Sequence, residues 1–139
     1  MRVVVDPGVF VSALISSTGP PAQLVSRWLG GEFEAVVSPL LLGELRQVLA
    51  RDKFRNRLSI DDARALALLI EASCIAVADE RDPPTFIPDP DDTYLVALAV
   101  RSCADVLVTG DRALQGAKLD PVLVLSPSAL LALLDSRID

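Results

Sequence analysis

The chain has 139 residues, 51% hydrophobic and only 4% aromatic, and its 13 Lys or Arg against 19 Asp or Glu leave a formal net charge of −6. That length suits one compact core spanning 1–139, because a domain of about 150 residues buries roughly two thirds of the surface its unfolded chain exposes. The apolar fraction excludes disorder, no apolar run reaches the ~20 residues of a helical membrane span, and the lack of His excludes Ser-His-Asp and Cys-His nucleophilic sites, His-ligated zinc and imidazole catalysis.

Arg2 to Val5 is β-branched and ends at Asp6, which predicts a short buried strand and then a turn at Pro7-Gly8. No signal peptide is read here, since Asp6 cuts the first apolar run, and the cytoplasm is the expected compartment. Val9 to Ile15 has helical character. A second helix is expected from Ala22 to about Leu29, stopping at Gly30-Gly31, where glycine tolerates a left-handed cap. Phe33 to Val37 reads as a second strand. Ser38-Pro39 is a helix start, with Ser as N-cap and Pro at the first helical position. Leu41, Leu42, Leu45, Val48 and Leu49 then form one apolar stripe, and Glu44 lies within that helix. Ser59-Ile60-Asp61-Asp62 matches a capping box and opens a helix through Ile70. Ile75 to Ala78 is read as a strand.

Residues 79–92 hold four of the ten prolines and six of the 19 acids and are read as a loop, since repeated prolines forbid both a ladder and a continuous helix. Thr93 to Val100 is apolar on nearly every side and predicts a buried helix. Val106 to Val108 is a strand leading to Thr109-Gly110-Asp111, and Pro121 to Leu125 is another. Ser126-Pro127 repeats the Ser-Pro start before a terminal helix. Cys74 and Cys103 are far apart, each in a largely apolar stretch, and are read as core packing. Strands alternate with helices and are continuous Val-rich runs without period-two alternation. That combination indicates a parallel sheet covered on both faces, a three-layer α/β/α sandwich.

Ligands in open α/β sheets bind beyond the carboxyl ends of the strands, so the acids there carry the argument. Asp6 follows the first strand, and Asp111 follows the Val106 to Val108 strand. Asp89, Asp91 and Asp92 enter a buried helix, and Glu44 sits on the helix after the second strand. Each also has a local reading. Asp6 suits a turn, Glu44 a solvated helix face, Asp89 to Asp92 an acidic helix start, and Asp111 a cap on Arg112 to Gln115. Periodicity does not separate Asp91 from Asp92. Carboxylates converging from separate segments need a compensating cation, and an all-oxygen site selects Mg²⁺ or Mn²⁺. Such ions activate water and stabilise the oxygens of an in-line phosphoryl displacement. The pattern points to metal-dependent phosphodiester hydrolysis. A receiver-type phosphoacceptor shares the acidic strand ends but wants a Lys after a late strand, and Lys118 precedes Pro121.

Four motifs in order, Val-Val-Val-Asp6-Pro-Gly, Val-Ser38-Pro-Leu-Leu-Leu-Gly-Glu44-Leu, Asp89-Pro-Asp-Asp92-Thr-Tyr-Leu-Val-Ala-Leu-Ala and Ala-Asp105-Val-Leu-Val-Thr109-Gly-Asp111, resemble the PIN (PilT N-terminus) domain ribonucleases from end to end, in particular the toxins of bacterial toxin–antitoxin pairs. The resemblance implies an endoribonuclease acting on single-stranded RNA with Mg²⁺ or Mn²⁺. By that resemblance Asp6, Glu44, Asp92 and Asp111 form the catalytic metal site, with Thr109 and Asp91 supporting it. Asp92 is preferred because the family places its third acid seven residues before the helix alanine that here is Ala99. The resemblance also implies a homodimer and a small antitoxin partner. One departure stands out: the family commonly reads Asp-Thr-Asn where this chain has Asp6-Pro7-Gly8. That departure motivates an alternative, a catalytically weak PIN domain that binds RNA or a protein.

Arg46, Arg51, Lys53, Arg55, Arg57 and Arg64 place six of the 13 basic residues within 19 positions. Arg46, Arg51, Lys53 and Arg55 are the candidate RNA contacts, as a phosphate-tracking flank; a solvated helix–loop surface explains the cluster equally well. With six aromatics, Phe10, Trp28 and Phe33 among them read as core, base stacking is not the main source of affinity.

Overall fold

The computed structural model describes residues 1–81 and 93–137. The valine runs become strands β1 (Arg2–Val5), β2 (Glu34–Val37), β3 (Ile75–Ala76), β4 (Val106–Val108) and β5 (Leu123–Leu125). All pair in parallel, in the order β3-β2-β1-β4-β5. Successive residues of β1, β2 and β4 are buried alike, including Val3, Val4, Val36, Val37, Val106, Leu107 and Val108. A strand covered on both faces has no solvent side to favour alternation, which is why these segments read as unbroken apolar runs.

The helices are α1 (Pro7–Ile15), α2 (Pro20–Leu29), α3 (Pro39–Leu49), α4 (Ile60–Ser73), α5 (Thr93–Arg101), α6 (Arg112–Gln115) and α7 (Pro127–Ser136). Ser38, Ser59 and Ser126 cap α3, α4 and α7, accepting from the N–H groups of Leu41, Asp62 and Ala129 at 3.3, 3.1 and 3.1 Å. The apolar stripe of α3 is buried at Leu41, Leu42, Leu45 and Leu49, each such side chain contributing about 1.5–3 kcal/mol by leaving water. Helices α1, α2, α3 and α7 pack in one group, while α5 covers β1 and β4 separately. The expected α/β sandwich around a parallel sheet is the observed architecture.

Several boundaries differ from expectation. Pro7-Gly8 is not a turn between strand and helix but the first turn of α1, with Asp6 as its N-cap. Asp-Pro does here what Ser-Pro does at α3, since a proline at the first helical position forfeits an N–H that has no partner anyway. Likewise α2 begins at Pro20, two residues before the expected Ala22. β3 is two residues rather than four, because it meets only the end of β2, in the register Val36↔Ile75 and Val37↔Ala76. An unexpected 3₁₀ turn, Asp52–Phe54, joins α3 to α4 and buries Phe54. Gly31, at φ +84°, takes the left-handed conformation after α2 that the Gly-Gly pair allows.

The strand order positions the site. From β1 the chain moves outward through β2 to β3, then crosses back to place β4 on the other side of β1. The carboxyl ends of β1 and β4 therefore flank the point where the winding reverses, where the splayed connections leave a crevice. Candidates Asp89, Asp91 and Asp92 lie outside the described residues.

Candidate metal centre

Asp6 extends β1 by one residue, its N–H donating to the Val108 carbonyl of β4 at 3.0 Å. That bond fixes the carboxylate between two neighbouring strand ends. Oδ1 accepts the Gly8 N–H at 3.0 Å, and Oδ2 accepts the Thr109 hydroxyl at 2.7 Å. Thr109 is fully buried, with its N–H on the Leu125 carbonyl and its carbonyl accepting from the Gln115 side chain. A hydroxyl has one proton, and this one goes to Asp6, so the oxygen lone pairs face the other way. There Thr109 Oγ1 accepts the Asp111 N–H at 3.1 Å. Asp111 in turn caps α6 through Oδ1 and the Ala113 N–H at 2.9 Å. Asp6, Thr109 and Asp111 thus form one hydrogen-bonded chain between the carboxyl ends of β1 and β4.

Glu44 is half-buried on α3, and its Oε2 accepts the hydroxyl of Tyr94 from α5. The start of α3 is tied down by Asp79, which follows β3 and accepts the Leu40 N–H through Oδ2 at 3.0 Å. Neither Tyr94 nor Asp79 was singled out from the sequence. Asp79 carries the same signal that marked Asp6, an acid closing a strand. Tyr94 carries none, because its partner lies 50 positions away.

The donors are all hard oxygens, and the carboxylates keep acceptor lone pairs beyond the bonds above. That chemistry fits Mg²⁺ or Mn²⁺. Among the described residues no three Asp, Glu or Cys side chains stand together within reach of one ion; Asp92, the fourth acid of the motif set, is outside them. Burial pushes the Cys74 thiol up to about 12, which keeps it neutral at neutral pH. Cys74 is partly buried and Cys103 is exposed, so Cys103 is not the core residue its apolar surroundings predicted.

The Pro7-Gly8 departure has a local resolution. The N–H that Pro7 lacks belongs to the first helical position, and Gly8 supplies the N–H that Asp6 needs. A β-carbon at Gly8 would stand 3.6 Å from Asp6 Oδ1, an ordinary contact, so the position accommodates one.

The basic cluster disperses around the α3–α4 hairpin. Arg46 pairs with Glu71 at 2.9 Å. Arg51 and Lys53 are exposed at the connecting turn, Lys53 lying 5.1 Å from the Phe54 ring centre. Arg57 donates to the Ile15 carbonyl at 3.2 Å. Arg55 departs from the phosphate-contact expectation. Its guanidinium donates to the Leu49 carbonyl, and its Nε and Nη1 are buried, because the turn folds back over the end of α3.

Comparison with known proteins bears on the family and the fold. The PIN domain family pattern matches residues 2–113. The uncharacterised protein MJ1680 of Methanocaldococcus jannaschii is 29% identical over 113 residues, covering 81% of this chain and 72% of its own. The crystal structure of PAE2754 from Pyrobaculum aerophilum superposes with a TM-score of 0.61 over 97% of this chain and 89% of that one, at 19% identity, which is a likeness of fold. With strand-end acids at the winding reversal and a match over most of its length, the chain belongs to the PIN domain family, whose members are in general metal-dependent nucleases.

Proposed function

We propose that this chain is a Mg²⁺- or Mn²⁺-dependent endoribonuclease that hydrolyses phosphodiester bonds of single-stranded RNA, acting as the toxin of a toxin–antitoxin pair. The observation that carries the reading is the Asp6–Thr109–Asp111 chain at the junction of β1 and β4, in a member of a nuclease family. Asp6, Glu44, Asp92 and Asp111 would hold the cation, which when bound supplies an activated water and neutralises charge developing on the phosphoryl oxygens.

The chain's own residues do the positioning. The Gly8 N–H and Thr109 hydroxyl hold both oxygens of Asp6, so the carboxylate enters the reaction already oriented. Thr109 keeps its proton on the Asp6 side and thereby aligns Asp111 through the backbone. Asp91, which precedes Asp92 in the sequence, would be a supporting acid. Arg51 and Lys53, with Arg46 nearby, would meet backbone phosphates, giving affinity with little base preference. A homodimer and an antitoxin partner complete the proposal.

Asp6→Asn keeps the cap acceptor but removes the charge. Cleavage of a generic single-stranded RNA with Mn²⁺, with an EDTA control, is expected for the native protein and not for the variant. Equal metal-dependent cleavage by both would refute the assignment. The alternative, a PIN domain that binds without cutting, is favoured by the missing Asn at position 8. It predicts RNA binding without cleavage by the native protein, and cleavage gained by Gly8→Asn.

A further inference from the structure

We propose that Tyr94 is a positioning residue for Glu44, holding the carboxylate by Oε2 so that Oε1 is the oxygen left for a divalent cation. This rests on the nuclease reading above and adds to it a residue outside the acidic set. Glu44 stands on α3, and a glutamate on a helix surface samples many rotamers whose loss opposes binding. The Tyr94 hydroxyl donates to its Oε2, and the tyrosine ring packs against the hydrophobic core, so the donor is rigid where the acceptor is flexible. A hydrogen bond to a carboxylate is also among the stronger kinds, because the acceptor is charged.

The placement ties two parts of the site together. Tyr94 lies in the first turn of α5, two residues after Asp92, while Glu44 lies on α3, which Asp79 anchors to the end of β3. One bond therefore links the helix bearing Glu44 to the first turn of α5. Partners that orient metal-ligating groups typically change metal affinity by about 10- to 100-fold when removed. The hydroxyl is thus expected to act on metal affinity, with the chemistry at saturating metal largely preserved.

Tyr94→Phe removes only the hydroxyl and keeps the packed ring. Mn²⁺ binding by calorimetry is expected to weaken about tenfold, and the Mn²⁺ concentration for half-maximal RNA cleavage to rise by the same factor, with kcat at saturating Mn²⁺ and KM for RNA near native. A purely structural tie between α3 and α5 would instead lower stability or kcat without moving the metal dependence. Tyr94 is the only tyrosine in the chain, so its ring carbon bearing the hydroxyl gives a single NMR signal. That signal is expected to shift on Glu44→Gln even without metal. Native-like Mn²⁺ affinity in Tyr94→Phe, or a tyrosine signal indifferent to Glu44→Gln, overturns the positioning role and leaves the nuclease reading standing. A native protein that shows neither Mn²⁺ heat nor cleavage overturns the nuclease reading and this role together.

Discussion

The strand-end site and the tip of the α3–α4 hairpin both gather charge, but they hold it differently. At the strand ends each acid is fastened by a backbone or buried donor: Asp6 by the Gly8 N–H and the buried Thr109 hydroxyl, Asp111 by the Ala113 N–H. At the hairpin, the cations are exposed or individually engaged. Arg46 meets Glu71, Arg57 meets a carbonyl of α1, Lys53 lies over the Phe54 ring, and Arg51 stands in solvent. A site that performs chemistry needs fixed groups, because disorder at the reacting atoms costs rate. A surface that follows a flexible polyanion works through summed charge and tolerates mobile side chains.

The sharpest break of that contrast is Asp6→Asn, expected to lower Mn²⁺-dependent cleavage by about a thousandfold, since several kcal/mol of transition-state stabilisation depend on the cation it would hold. Circular dichroism should remain native. Next is Leu45→Ala. Leu45 is wholly buried beside Glu44, and losing it should cost about 2–5 kcal/mol in urea unfolding. A single transition is expected if the hairpin and sheet share one core, whereas two transitions would separate the regions. Thr109→Val keeps the shape and removes the hydroxyl between Asp6 and Asp111. It should weaken Mn²⁺ binding about tenfold by calorimetry, and an unchanged affinity would show that the buried hydroxyl plays no part in preparing the site. The smallest effect belongs to the pair Arg51→Ala and Lys53→Ala. RNA binding should fall only about threefold at low salt and lose roughly one unit of salt dependence, while cleavage at saturating RNA stays native.

Much of the fold was legible because its determinants are local. Ser-Pro announced α3 and α7, and the capping sequence at Ser59 announced α4, since caps satisfy orphan N–H groups within one turn. Val-rich runs without alternation announced a parallel sheet, because covering both faces removes the need for polar positions. The starts of α1 and α2 differ from expectation for one reason: each helix opens on a proline, whose missing N–H costs nothing at the first helical position. The 3₁₀ turn at Asp52–Phe54 left no periodic signal, being a single turn held by one buried ring. For the site, acids at strand ends were visible one by one, yet Arg55 shows how a charge reading fails when a turn folds its side chain inward.

The alternation of strands and helices, the caps, and a donor chemistry of oxygen without imidazole are all readable from the residues alone. Those follow from neighbours along the chain and from which residue types are present. Folding, by contrast, sets β4 beside β1, so that Thr109 reaches Asp6 across 103 positions, and brings Tyr94 to Glu44. Those contacts depend on strand order and helix packing, which are set by burying both faces of the sheet at once and are written in no single segment.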